Sequence, residues 1–174
     1  MSTGDEALRL ESASPELLAA LEAAGWDRDR DVAIDHVVEE LAAQGYEINT
    51  YAAAFLRSLC GLRIDPANED GPNFQNTEQL IVDPLGVGRR HRPEAVEVES
   101  LIGESVFPVA WWLSYSYVHV AASGRMVAFS SGLTWSLGNT PEQGLDMAVR
   151  ASEPLVCIGS RSGQARWPKP PAWT

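Results

Sequence analysis

Residues 106–121 read VFPVAWWLSYSYVHVA and residues 125–137 read RMVAFSSGLTWSL. β-branched and aromatic side chains dominate both stretches, and such residues favour strands over helices. The pattern predicts four strands, at 106–113, 115–121, 125–129 and 133–137. Ser123–Gly124, between the second and the third, has the composition of a hairpin turn. This part of the chain therefore predicts a sheet built from consecutive strands.

Helical patterns lie on both sides of these strands. Ser14 and Pro15 form an N-cap followed by proline at the first helical position, and leucines follow at helical spacing. Similar patterns predict helices at 32–43, 50–59, 93–102 and from 140 onward, and glycines mark several of their ends. A short strand at 79–82 and loops at 63–77 and 86–92 complete the prediction. We expect an α+β fold in which a mixed or antiparallel sheet of about four to six strands packs against helices.

The chain of 174 residues has the length of a single domain. Residues 1–13 are polar and unpatterned, which predicts a mobile N-terminal lead-in, and residues 14–159 form the α+β domain. Residues 160–174 contain three prolines and two tryptophans, which predicts an extended or disordered tail. Neither a secretory signal nor a membrane-spanning run is visible, so we expect a cytoplasmic protein.

Acidic residues are concentrated in the first part of the chain. The formal net charge is −11, and residues 1–104 contain 21 acidic and 8 basic side chains, whereas residues 105–174 contain 3 and 5. A field of this sign repels nucleic acid and attracts basic partners. Solubility alone is the alternative explanation of the acidity. Direct binding of nucleic acid is not expected.

No combination of residues indicates catalysis, a metal site or a cofactor. His119 is a candidate general base, but a single histidine on a strand is more often structural. Four carboxylates are candidate metal ligands, although their spacing fixes no geometry: Asp83, Glu94, Glu97 and Glu99. Cys60 and Cys157 read as buried hydrophobic residues rather than as a disulfide. We expect no enzyme, no metal and no cofactor.

Two further clusters have more than one interpretation. The run Arg89–Arg92 could contact phosphates, but pairing with neighbouring carboxylates fits so acidic a chain better. Trp111 and Trp112 are adjacent on a predicted strand, so their side chains point to opposite faces and one of them should be partly exposed. Trp26 and Trp135 are expected in or near the core. Trp167 and Trp173, in the tail, either pack back onto the domain or contact a partner.

A set of short motifs occurs in order over residues 15–150. It comprises a leucine-rich helix followed by Gly25–Trp26 and Arg30, a helix ending at Gly45–Tyr46, an alanine-rich helix leading to Gly61–Leu62, then Val82–Pro84, and the stretches 103–108, 123–127 and 137–140. In this order and spacing the chain resembles the third immunity-protein subgroup of the SUKH superfamily. Cys60, the loop 63–77, the tail and the elaborate aromatic run 111–117 depart from the family pattern.

The resemblance implies a single α+β domain and an intracellular immunity protein of a bacterial polymorphic-toxin system. Such proteins bind and neutralise a cognate toxin encoded nearby, often a nuclease or a nucleic-acid deaminase, and have no catalytic activity. Homo-oligomers are possible, and no membrane contact is expected. One alternative is a non-catalytic scaffold or regulatory adaptor that binds an endogenous basic protein. A small hydrolase or metal-dependent enzyme that uses His119 is another.

The candidate toxin-binding residues combine aromatic and acidic side chains. They are Asp65, Glu69, Asp70, Asp83, Trp111, Tyr115, Tyr117 and His119. A second group is expected to define the fold rather than to bind: Gly25, Trp26, Arg30, Gly61 and Pro84.

Overall fold

A computed structural model describes residues 7–169 of the chain. Its centre is a sheet of seven strands that lie side by side in chain order, each antiparallel to its neighbours. The strands are β1 Arg63–Ile64, β2 Leu80–Ile81, β3 Val106–Trp112, β4 Ser116–Ala121, β5 Met126–Ser130, β6 Leu133–Gly138 and β7 Val156–Ser160. The α+β class is confirmed, and the sheet is antiparallel.

Six helices surround the sheet within the described residues. They are α1 Pro15–Ala23, α2 Asp35–Ala42, α3 Thr50–Leu59, α4 Pro84–Gly88, α5 Arg92–Ile102 and α6 Pro141–Arg150. Side-chain caps explain where three of them begin: Ser14 Oγ accepts from Leu17 N at 3.1 Å, Asn49 Oδ1 from Ala52 N at 2.8 Å and Thr140 Oγ1 from Gln143 N at 3.2 Å. The predicted helix starts at these caps are confirmed.

The predicted count of four to six strands is wrong, because the sheet has seven. β1 has two residues, too few for any periodicity to show, and β7 is a short run interrupted by Gly159. The predicted loop 86–92 is also partly wrong, since α4 occupies 84–88. Gly86 and Gly88 disfavour a helix there. A side chain at Gly88 would meet Leu41 at 2.6 Å, however, so α4 packs closely against α2 at this glycine. Close packing therefore overrides local propensity.

The two faces of the sheet are covered by different helices. α6 packs on the face that carries Trp112 and Met126: Ala148 O accepts from Trp112 Nε1 at 3.2 Å, and Gly144 approaches Met126 so closely that a Cβ would be 2.3 Å from its sulfur. α4 and the start of α5 pack on the opposite face, where Tyr117 lies. The sheet is thus the middle layer of the structure.

The five residues expected to define the fold lie at junctions between elements. Gly25 and Gly61, with φ of 101° and 85°, follow α1 and α3 in a backbone conformation that glycine adopts at low cost. Trp26 is 8% exposed and donates from Nε1 to Ser58 Oγ at 2.8 Å. Arg30 donates to Cys60 O at 2.8 Å, which joins the segment after α1 to the end of α3. Pro84 begins α4 and is buried.

The ends of the described chain contact the domain. Near the N-terminus, Leu8 and Leu10 pack against the core. After β7 the chain returns to β6, where Trp135 Nε1 donates to Trp167 O and the two rings meet edge to face at 6.2 Å. Trp173 lies outside the described residues. The domain boundaries at 13/14 and 159/160 stay predictions.

Replacing Trp26 with alanine should destabilise the fold by about 3–5 kcal/mol, because it leaves a cavity between α1 and α3. Trp26→Phe keeps most of the ring and loses mainly the bond to Ser58, so it should cost much less. Urea denaturation of both variants measures the free energies of unfolding. A Trp26→Ala protein with wild-type stability that no longer binds its partner would contradict a structural role.

Candidate functional site

Four rings form a continuous cluster on the face of the sheet opposite α6. Trp111 of β3 meets Tyr117 of β4 at 5.2 Å between ring centroids, Tyr115 at 6.3 Å and His91 at 6.2 Å, with interplanar angles of 60°, 81° and 83°. His91 in turn stacks on Tyr117 at 4.5 Å. We call His91, Trp111, Tyr115 and Tyr117 the aromatic cluster. Edge-to-face contacts of this kind hold rings in fixed relative orientations.

The turn between β3 and β4 displays Tyr115. Three consecutive residues without the freedom of glycine, Leu113, Ser114 and Tyr115, have positive φ of 30°, 55° and 59°. Such a conformation costs each residue roughly 1 kcal/mol or more and persists only where the surroundings impose it. Glu78 contributes by accepting from Ser114 N at 2.7 Å. As a result Tyr115 is 81% exposed, the most exposed large hydrophobic side chain of the described residues.

Asp83 lies beside the cluster at the start of α4. Its Oδ1 accepts from Gly86 N at 2.9 Å, so the carboxylate caps the helix. A Cβ on Gly86 would stand 2.2 Å from Asp83 Oδ2 and 2.9 Å from Trp111 Nε1. The missing side chain therefore lets the indole of Trp111 approach α4 next to an exposed carboxylate.

The start of α5 supplies the histidine of the cluster and a carboxylate near it. Because Val87 O can only accept, His91 Nδ1 carries the hydrogen in their 2.9 Å bond, which sets the orientation of the ring. Glu94 Oε2 is buried and has no hydrogen-bond partner among the described residues. Burial raises the pKa of the Tyr117 hydroxyl, and the charge of Glu94 raises it further. Glu94 is therefore a second carboxylate close to the rings.

The arginines around His91 are largely engaged within the chain. Arg89 pairs with Glu40 through two hydrogen bonds, and Arg92 pairs with Glu99 at 3.0 Å. The hydrogen bond from Arg89 lowers the pKa of Glu40. The prediction that this basic run pairs with neighbouring carboxylates is confirmed for these two residues.

The three predicted acids of the 65–79 loop lie in different surroundings. Asp65 follows β1 and accepts from Gln79 at 2.7 Å, and Asp70 accepts from Gln75 at 3.2 Å. Asp70 lines a depression together with Glu16 and Arg150, by the C-terminal end of α6. Glu69 is exposed in the same loop, where its carbonyl accepts from Asn76 N. The hydrogen bonds of Asp70 and Glu69 in the described part of the chain go to other residues of this loop.

His119 does not reach the surface, which corrects its assignment to a contact face. It pairs with Pro108 and Val127 in the middle of the sheet and is 1% exposed. Burial lowers the pKa of His119 to about 4, and the charges of Arg92 and His91 add to that effect, while a hydrogen bond with the Tyr117 backbone opposes it. The ring is therefore neutral at pH 7. The alternation of Tyr115, Tyr117 and His119 predicts that they share one face of the sheet. It does not predict that helices cover this face at His119.

Two of the four candidate metal ligands are engaged in ion pairs, and both cysteines are free thiols. Glu97 pairs with Arg161 at 2.7 Å and Glu99 with Arg92, and no group of three potential ligands occurs among residues 7–169. Cys157 is buried and Cys60 is partly buried, and both thiols are free. Burial raises the pKa of the Cys60 thiol, which makes it a poor nucleophile. None of the described helices has the length and hydropathy to cross a membrane.

Sequence reasoning missed two contributors to this site. The sequence presents His91 only as part of a basic run, and nothing in its pattern singles out Glu78. Trp111 and Tyr117 lie on consecutive strands and Tyr115 lies in the turn between them. This spacing indicates a group of rings near the turn, but no local signal indicates that His91 lies against them.

Comparison with protein families identifies the chain. The family model of the SUKH-3 immunity protein matches residues 13–150. The chain belongs to the SUKH-3 immunity protein family. No curated protein and no solved structure matches it. In this SUKH-3 protein the matched range includes the whole aromatic cluster, Glu78 and Asp83, whereas β7 and the segment that carries Trp167 follow it.

The buried His119 should make the stability of this SUKH-3 protein depend on pH. Its pKa of about 4 in the folded state lies below the value of about 6.5 for an unfolded chain, so the unfolded state binds more protons between these values. Stability should therefore fall as the pH drops from 6.5 towards 4, by roughly 3 kcal/mol from this residue. Urea denaturation at several pH values, for wild type and His119→Gln, measures it. Parallel stability curves for the two proteins would contradict the prediction.

Proposed function

We propose that this protein is the immunity partner of a toxin and neutralises it by binding through the aromatic cluster and the acids beside it. Membership of the SUKH-3 immunity protein family is the observation that carries the proposal. On this proposal the protein has no catalytic activity, acts in the bacterial cytoplasm and is encoded next to the toxin. Its partner is the toxin domain of a polymorphic-toxin system.

The turn between β3 and β4 supports the choice of surface. Tyrosine and tryptophan supply most of the binding energy of many protein interfaces, since they bury a large area and lose little conformational entropy. Tyr115 has that residue type, high exposure and a backbone held in place by Glu78. Trp111 and Tyr117 extend the same surface towards α4 and α5. A rigid, exposed aromatic group of this kind suits recognition of a protein partner.

The charge of the chain supports a basic toxin. Asp83 and Glu78 are exposed at the edges of the aromatic cluster, and Asp65 lies on the neighbouring β1–β2 connection. Toxins that act on nucleic acids need basic clefts, because their substrates carry a negative charge at every phosphate. Carboxylates of the immunity protein would stand in for those phosphates, either in the cleft or at its entrance. We therefore propose a nuclease or a nucleic-acid deaminase as the toxin.

Tyr115→Ala should weaken the complex about thirtyfold or more, as expected for a central aromatic contact. The probe is the toxin domain encoded beside this gene, co-expressed to measure growth rescue and purified to measure Kd. Tyr51→Ala is the matched control: Tyr51 is exposed on α3 and contacts the turn after β4, at the other end of that strand from Tyr115. Equal loss of binding in both variants would contradict the proposed surface.

Salt provides an independent test of the acidic contribution. The Kd should rise when the salt concentration is raised from about 50 to about 300 mM. The higher concentration shortens the screening length and weakens the attraction between exposed charges. A complex with the adjacent gene product that forms but gives no growth rescue would favour the adaptor function. If no complex forms and growth is not rescued, the proposed toxin partner is rejected.

A further inference from the structure

The aromatic face already holds one guanidinium supplied by the chain itself. Phe129 stacks next to Tyr117 at 6.4 Å with an interplanar angle of 24°, and Arg161 Cζ lies 5.8 Å from the Phe129 centroid. Arg161 is also paired with Glu97 at 2.7 Å. The arrangement is thus a guanidinium that contacts a ring and a carboxylate at the same time.

A second guanidinium repeats this arrangement at Tyr46. Arg92 Cζ lies 5.0 Å from the Tyr46 centroid, and the same side chain pairs with Glu99 at 3.0 Å. Cations over aromatic rings are attracted by the negative ring face, and arginine does this more often than lysine. This structure therefore uses a ring with an adjacent carboxylate twice, both times for an arginine.

The corner between Trp111 and Tyr115 has the same components without an arginine. The two rings are nearly perpendicular, at 81°, and Tyr115 is almost fully exposed. Asp83 supplies the carboxylate. Its Oδ1 caps α4, and its Oδ2 and the indole nitrogen of Trp111 both lie next to Gly86. Within residues 7–169, no cationic side chain lies over Trp111 or Tyr115.

Three arginines close to this face are held elsewhere. Arg89 is bound to Glu40 by two hydrogen bonds, and Arg92 and Arg161 occupy the two positions described above. Filling the corner from inside the chain with any of these three would break an ion pair. A positive side chain from outside would instead meet an exposed carboxylate in a chain of net charge −11.

We propose that the corner formed by Trp111, Tyr115 and Asp83 binds an arginine side chain of the partner. The guanidinium lies against the rings and pairs with the free oxygen of Asp83. Arginine fits better than lysine, since its planar group stacks on a ring and donates to a carboxylate at the same time. This inference rests on the proposed function for the identity of the partner, but not for the chemistry of the site.

A titration without any toxin tests the site. The probes are N-acetyl-arginine amide and N-acetyl-citrulline amide, which have nearly the same shape and differ by the positive charge. The readout is the indole N–H signal of Trp111 in the NMR spectrum of the full chain, assigned with Trp111→Phe. The signal should move with the arginine compound and much less with the citrulline compound, as expected when the charge is the attraction.

Variants of the carboxylate separate a specific site from general acidity. Asp83→Asn keeps a side chain that caps α4 well and removes the charge, so arginine binding should weaken on the order of tenfold. Asp29→Asn removes the same charge at an exposed position after α1 and should leave binding unchanged. The proposal is overturned if citrulline moves the Trp111 signal as much as arginine, if Trp111 does not respond, or if the two variants behave alike.

The outcomes also distinguish this inference from the proposed function. Growth rescue by the protein together with a negative titration would keep the immunity function and reject the arginine site. A positive titration with no toxin binding would keep the arginine site and reject the proposed toxin partner.

Discussion

The burial of Trp112 determines the geometry of the surface on which the proposed function depends. Its indole nitrogen donates to Asn76 Oδ1 at 3.1 Å and to Ala148 O at 3.2 Å, and Asn76 itself donates to Ala148 O at 2.8 Å. This connects the C-terminal end of β3 to α6 and to the loop before β2. Because neighbouring residues on a strand point to opposite faces, anchoring Trp112 on one face commits Trp111 to the other.

The register of three strands then places the remaining rings. Trp111 is opposite Ile81 on β2 and Tyr117 on β4, and Tyr117 is opposite Phe129 on β5. Side chains opposite each other in adjacent strands lie on the same face and in contact. A row of apolar and aromatic residues therefore crosses the sheet at one level. A slip of one residue in β3 would exchange Trp111 for Trp112 and remove this row.

Helices cover this row only in part, which separates residues of the same face into a core and a surface. His119 lies two residues beyond Tyr117 on β4 and is enclosed, with Arg92 and His91 near it. Tyr115, two residues before Tyr117, lies in the strained turn and is exposed. The aromatic cluster, Asp83 and the buried His119 thus lie along one strip of the sheet. Only the end of this strip at Tyr115 is exposed to a partner.

Local sequence determined much of the fold: the capped helices, the four strands of the β3–β6 meander, the acidic balance and the opposite directions of Trp111 and Trp112 follow from residue type and period. The family resemblance likewise rested on short motifs in order. Tertiary structure decided what period cannot show. β1 and α4 exist because long-range pairing and close packing stabilise segments too short to form alone. Tertiary structure also places His91 and Glu78 at the site and buries His119. These positions depend on which elements pack against a strand, and no local pattern in the strand encodes its neighbours.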